Sequence, residues 1–186
     1  MNLYLPCIYL MFWLLNPIPK SNKGYIVAWN NDTTLVQVIL PKYSLGIASY
    51  NLNNKIEIID STATIRTYYS RDIKAFGYQN NSNMIIYRLK PIEHGSDLFL
   101  EGTVIGNRAN LFEFEKQGSE KIYFTLEKAN SIYFFLDSDQ KPQVIRERLK
   151  TYLEDRPEIV ELIDRKFSKP KYTQVDLREV VRRFNQ

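Results

Sequence analysis

The chain has 186 residues, 44% of them hydrophobic and 25% charged, which excludes both a disordered tail and a polytopic membrane protein. One Cys and one His exclude a disulfide framework and a multi-ligand Cys/His metal site within a single chain. Residues 141–186 hold 12 Lys/Arg against 8 Asp/Glu, so the formal net charge of +4 belongs to the last quarter and residues 1–140 balance at 13 of each.

Residues 3–15 form an uncharged apolar run, and the first charged side chain is Lys20. Such a run is shorter than the roughly 20 residues a membrane-spanning helix needs. It suits the apolar centre of a secretory signal, which runs about 7–15 residues. No Lys or Arg precedes it and no Ala-x-Ala follows; the nearest cleavage candidate is at Ser21, with Pro19 two positions before. Cys7 lies inside the run rather than after it, which argues against a lipoprotein box. Residues 1–21 are therefore expected to be a signal-peptide-like leader. The alternatives are an uncleaved anchor and a buried segment of a cytosolic protein, and against the last stand Phe12, Trp13 and the lack of any polar face.

Residues 24–138 read as antiparallel β-structure. The 13 Tyr and 10 Phe favour it, since flat amphipathic rings pack well on a pleated, half-buried surface. Residues 25–29 and 35–40 flank Asn-Asn-Asp-Thr, whose side chains tolerate the left-handed backbone of a tight hairpin, and Pro41 stops the second arm. Residues 55–60 and 64–69 are joined by Ser61-Thr62-Ala63 as a second hairpin. A short helical turn capped by Ser70 is predicted next, leading into a strand at Phe76. Further strands are predicted at 84–90, 98–104, 109–116, 121–127 and 131–136, with turn residues between them. Turn signals every ~8–12 residues point to a small barrel or sandwich.

From about residue 139 the apolar period changes from 2 to 3.6. Val144, Ile145, Leu149, Tyr152 and Leu153 share one helical face, and Pro157 fits the first turn of a second helix striped by Ile159, Val160, Ile163 and Phe167. Pro170 interrupts, and Thr173 with Asp176 resembles a cap for a third helix carrying Leu177, Val180, Val181 and Phe184. The expected fold is thus mainly β with a C-terminal helical segment, an antiparallel barrel or sandwich capped by two to three short helices. The stripes are too apolar to face water, so residues 139–186 should pack on the β-domain.

Two segments carry a resemblance. One is Tyr69-Ser70-Arg71-Asp72-Ile73-Lys74-Ala75-Phe76-Gly77 followed by Leu98-Phe99-Leu100-Glu101-Gly102. The other is Tyr152-Leu153-Glu154-Asp155-Arg156-Pro157, then Lys166-Phe167, Asp176-Leu177, Val180-Val181 and Phe184-Asn185. With Gly24-Tyr25 and Asp32-Thr33, the chain resembles a group of small exported β-rich proteins of unknown function from Bacteroidetes-type bacteria. It departs from that pattern at Arg156, where a cysteine is expected, and in its uncharged leader start. The resemblance implies a signal sequence, a β-rich domain and short terminal helices, and brings no catalytic residues.

The chemistry-bearing residues are few. His94, Ser96 and Asp97 sit together in one turn, where side chains usually point apart, and no Gly-x-Ser-x-Gly elbow exists. Asp137-Ser138-Asp139 starts like a calcium loop but lacks its Gly and distal Glu, so it reads as an N-cap cluster opening the helical tail. Glu113 and Glu115 share a strand face at about 7 Å, a separation that also fits two glycosidase carboxylates. Gly102-Thr103-Val104-Ile105-Gly106 lacks the Lys-Ser/Thr of a phosphate loop. In the tail, Glu147/Lys150 and Glu161/Arg165 stand at helix-stabilising spacing. Candidate contacts to an anionic surface are Arg165, Lys166, Lys169, Lys171, Arg182 and Arg183.

The expectation is a non-catalytic binding or structural module of the cell envelope, with no cofactor and no metal. Its partner would be a protein or an envelope component. Anionic lipid could dock on the basic tail, and nucleic acid is disfavoured by the interleaved acids. The alternatives are a carrier of a small apolar ligand inside an aromatic-lined β-domain, and a hydrolase using Glu113, Glu115, Asp97 or His94.

Overall fold

The computed structural model describes residues 21–40, 49–92, 97–115, 121–128, 132–168 and 173–186. Residues 1–20 of the expected leader therefore lie outside the described residues, as do His94, Ser96, Lys169, Lys171 and the side chain of Glu115.

Ten strands make one antiparallel sheet. They are β1 (Ser21–Val27), β2 (Thr33–Ile39), β3 (Lys55–Ile59), β4 (Ile65–Tyr69) and β5 (Ala75–Asn80), then β6 (Asn83–Lys90), β7 (Leu98–Val104), β8 (Ala109–Glu115), β9 (Ile122–Lys128) and β10 (Ile132–Asp137). The spatial order is β10-β9-β8-β7-β6-β5-β1-β2-β3-β4. Strands β1–β4 form one meander and β5–β10 another, and among the described residues they are joined strand to strand by β1 against β5, with Gly24 opposite Tyr78 and Tyr25 opposite Gly77. The first strand begins at the candidate cleavage residue, Ser21, which pairs with Ile39.

The barrel expectation is corrected: β4 and β10 do not pair, so the sheet stays open. A short helix α1 (Ser49–Asn54), which the sequence reading missed, lies against β3 and also against β7 and β8. The helix thus touches strands of both meanders of the open sheet. Leu52 is buried in the fold, and the buried Asn53 amide donates to the Phe99 carbonyl at 2.6 Å. Helix α1 offers one large apolar residue among Asn, Ser and Tyr, so no amphipathic period announces it.

The predicted helices are α2 (Pro142–Tyr152), α3 (Pro157–Phe167) and α4 (Gln174–Phe184). Prolines open α2 and α3, and α4 carries a complete Thr173–Asp176 capping box. Ile145, Leu149, Ile163, Phe167, Leu177, Val181 and Phe184 pack on Leu111, Phe124 and Leu126 of the sheet as one cluster. Val144 is the exception, 46% exposed rather than on the buried face. A second cluster, around Phe76, Tyr87 and Phe99, fills the β1–β7 end, with Phe76 stacked on Tyr87 at 4.7 Å. Phe76, Tyr78, Tyr87, Phe99, Phe112, Phe124, Phe167 and Phe184 are buried in the core, while Tyr25, Trp29 and Tyr133 are not.

Three local readings are corrected. Ser70 caps no helix; residues 70–72 form a turn in which the Asp72 carboxylate accepts from the Tyr69 amide at 2.8 Å. Asp137-Ser138-Asp139 does not cap α2, whose N-cap is Lys141; Lys121 binds Asp137 at 3.1 Å and Asp139 at 3.4 Å instead. Lys150 pairs with Asp164 of α3 at 3.1 Å rather than with Glu147 of its own helix. At the chain end, Asn185 accepts from the Arg108 and Ala109 amides, both at 3.0 Å, and donates to the Ala109 carbonyl at 2.9 Å. That side chain stitches α4 to the start of β8.

Candidate functional site

The two faces of the sheet carry separate concave sites. Strand alternation decides which residues enter each. On β6, Ile85, Tyr87 and Leu89 turn into the core, which sends Ile86, Arg88 and Lys90 to the opposite face. On β1, Ile26 is core while Tyr25 and Val27 face outward; on β5, Phe76 and Tyr78 are core while Ala75 and Gly77 face outward.

The outward residues floor a groove of about 530 Å³ whose walls are Trp29 from the first hairpin, Lys74, Asp97 and Tyr133. This lies within the range of small-ligand sites, about 300–1,000 Å³. The Tyr25 ring lies across Gly77: a methyl group added there would meet the ring edge at 2.7–2.8 Å. Burial pushes the Tyr25 phenol up, and the neighbouring Arg88 charge works against that shift. Trp29 is 55% exposed and is held by its indole N–H donating to the Arg71 carbonyl at 2.9 Å.

The three groove cations differ in what they already do. Lys90 is engaged: its Nζ is 2.6 Å from Glu127, and it lies over the Phe112 and Tyr133 rings at 5.2 and 5.6 Å. Glu127 is held in turn by Asn110 at 3.1 Å. Lys74 donates to the Asn31 side-chain carbonyl. Arg88 is half-buried and has no hydrogen-bond or ion-pair partner among the described residues. Such a guanidinium can bind an oxyanion through two parallel N–H···O contacts.

The second site is an inner cavity of about 200 Å³ between the sheet and α4, lined by Tyr87, Glu101, Thr103, Glu113 and Arg178 among others. Glu101 and Glu113 are directly opposite each other on β7 and β8. Arg178 forks onto both oxygens of Glu113 at 2.7 and 2.5 Å, and the Thr103 hydroxyl donates to it at 2.8 Å. Among the described residues, Glu101 accepts a hydrogen bond from the Tyr87 hydroxyl alone, at 3.3 Å. Burial raises the Glu101 carboxyl above its ordinary value and the Glu113 charge adds to this, against the Tyr87 hydrogen bond and Arg178. Burial and the facing Glu101 also raise Tyr87.

A carboxyl raised in the folded state binds protons more tightly there than in the unfolded chain. Its contribution to stability is greatest below the ordinary value of 4.5 and declines as pH rises through the raised one. Glu101→Gln, which keeps the acceptor for Tyr87, is therefore expected to raise Tm by about 2–4 °C at pH 8. The gain should vanish at pH 4, and an equal gain at both pH values, measured by circular dichroism, would show that ionisation is not its source.

Among the sequence-derived candidates, Glu113 enters the inner cavity and Asp97 the outer groove, on opposite faces. Glu115 shares the Glu113 strand, but its side chain, like His94, lies outside the described residues. Of the basic-tail residues, Lys166 is bound by Glu179 at 2.6 Å and Asp176 at 3.5 Å. Arg165, Arg182 and Arg183 are exposed on α3 and α4, and Lys169 and Lys171 lie outside the described residues.

The sequence reading missed both Arg88 and Glu101. The signal for Arg88 was present in Ile85-Ile86-Tyr87-Arg88-Leu89-Lys90, where an apolar/cationic alternation marks a face wetted at one end. Among the described residues no group of three or more His, Cys, Asp or Glu is placed to hold a metal, and no helix is long and apolar enough to cross a membrane. No family model, curated protein or solved structure matches the chain.

Proposed function

We propose that the chain is exported to the cell envelope and acts there as a non-catalytic binding module, with the outer-face groove as its binding site. The observation that carries the binding assignment is Arg88, half-buried and unpartnered among the described residues in a groove of about 530 Å³ walled by Trp29 and Tyr133. The apolar run at residues 3–15 supports the compartment, as does the resemblance to small exported β-rich proteins. In that compartment the partners within reach are proteins and envelope components.

A hydrolase would draw on Glu101 and Glu113, the described carboxylates that meet in one cavity. Arg178 forks onto both Glu113 oxygens and holds that carboxylate as an ion-paired, orienting group rather than a solvated base. That geometry favours binding over hydrolysis.

Fractionation of an expressing cell with N-terminal sequencing tests the compartment. Recovery from the envelope or periplasm, with a mature start close to Ser21 or with an intact anchored leader, is the expected result. Soluble cytosolic protein retaining Met1 would overturn the assignment.

A further inference from the structure

We infer that the outer-face groove takes a sugar unit bearing a single carboxylate. This rests on the groove being the binding site, as proposed above. Three features of the groove narrow the ligand.

The first is charge. Glu127 neutralises Lys90, and Asp97 stands as one carboxylate against Lys74 and Arg88, so the described lining carries one net positive charge, with Arg88 its cation without a hydrogen-bond or ion-pair partner among the described residues. One net positive charge matches a monoanion; a phosphate monoester would bring nearly two negative charges and leave one unmatched. The planar guanidinium fork suits a carboxylate, accepted through two parallel N–H···O contacts.

The second is shape. The Tyr25 ring lies against Gly77, and Trp29 and Tyr133 line the same groove. Ring faces of this kind offer large rigid contact area to a flat or ring-shaped body. The third is the polar edge. Asn31, Lys74 and Asp97 line the same groove, so a ligand carrying only a ring and an acid would leave donors and acceptors without partners. A sugar acid presents a hydroxylated rim, an apolar ring face and one carboxylate, which answers all three.

The test is isothermal titration of the full chain with three probes: D-glucuronate, D-glucose and benzoate. Saturable glucuronate binding is expected, with glucose at least about tenfold weaker because it lacks the charge-assisted contact. Arg88→Gln should cost glucuronate about tenfold or more. Gly77→Ala should also weaken it by displacing the Tyr25 ring, while leaving the fold intact because only the tip of that side chain must move. Arg182→Gln, on an exposed surface of α4, should change nothing.

Glucose binding as tightly as glucuronate, or glucuronate binding indifferent to Arg88→Gln, would overturn the carboxylate assignment. Benzoate matching glucuronate with the same Arg88 dependence would overturn the sugar while leaving the groove as the binding site. Failure of all three probes to saturate at about 10 mM would overturn the inference, and the fractionation result would then judge the envelope reading separately.

Discussion

Gly24→Ala is expected to cost about 3 kcal/mol, the upper end for overpacking a well-filled site. For a chain of this length that is a Tm drop of about 6–12 °C. A methyl group at Gly24 would lie 2.3 Å from the Gly77 carbonyl oxygen, 2.9 Å from a Val38 methyl and 3.1 Å from the Tyr78 Cα. Two of these three neighbours are backbone, so no rotamer change relieves the contact. The position also matters, because among the described residues the strand pairing between the two meanders runs through β1, which holds β2 on one side and β5 on the other. Gly77→Ala is the matched control: its methyl meets only the movable edge of Tyr25, so its cost should stay below about 1.5 kcal/mol. Thermal melts that place the two variants together would mean the seam yields where the backbone contacts say it cannot.

The contrast between those glycines shows where sequence reasoning stops. The strands and the three terminal helices announce themselves through period 2, period 3.6, Pro157 and the Thr173–Asp176 cap, all local signals. The pairing of β1 with β5 is not local: it brings residue 24 beside residue 78, and nothing in Gly24-Tyr25 or Gly77-Tyr78 names the other. The open edge follows from the same blindness, because turn spacing describes strands but not whether the first and last meet. Helix α1 is stabilised by the walls around Leu52 and Asn53 rather than by its own pattern.

The sites divide the same way. Glu113 was legible as an acid within an apolar strand, but its partner was sought two residues along, at Glu115. The carboxylate facing it across the ladder is Glu101, and the cation that compensates it is Arg178, 65 residues away on a helix read as a solvated basic face. Arg88 went unremarked because a single cation in a strand reads as solvent-facing. Only the assembled groove shows it to be partly withdrawn from water and unpaired among the described residues.

Arg178→Met is expected to be a strong electrostatic perturbation, costing about 2–3 kcal/mol at pH 8. Breaking a buried pair by removing one partner typically costs about 3–5 kcal/mol. The lower figure applies here because the Arg178 side chain is 30% exposed and its Glu113 partner 11%, so solvent screens part of the loss. Without the guanidinium, two carboxylates stand opposite each other on adjacent strands in a small cavity, and Glu101 is already raised by burial. The folded variant should hold a proton on the pair to higher pH than the unfolded chain does. Its deficit is therefore greatest at pH 8 and shrinks as pH falls through the raised values toward 5. Adding Glu101→Gln should recover a substantial part of the loss at pH 8, since one of the two facing charges is gone, while Arg182→Met, on an exposed surface of the same helix, should stay within about 0.5 kcal/mol of the parent. Urea melts at both pH values decide it. A deficit that does not change with pH, or that Glu101→Gln leaves untouched, would assign the Arg178 contribution to packing of its aliphatic stem rather than to the charge it places between the two acids.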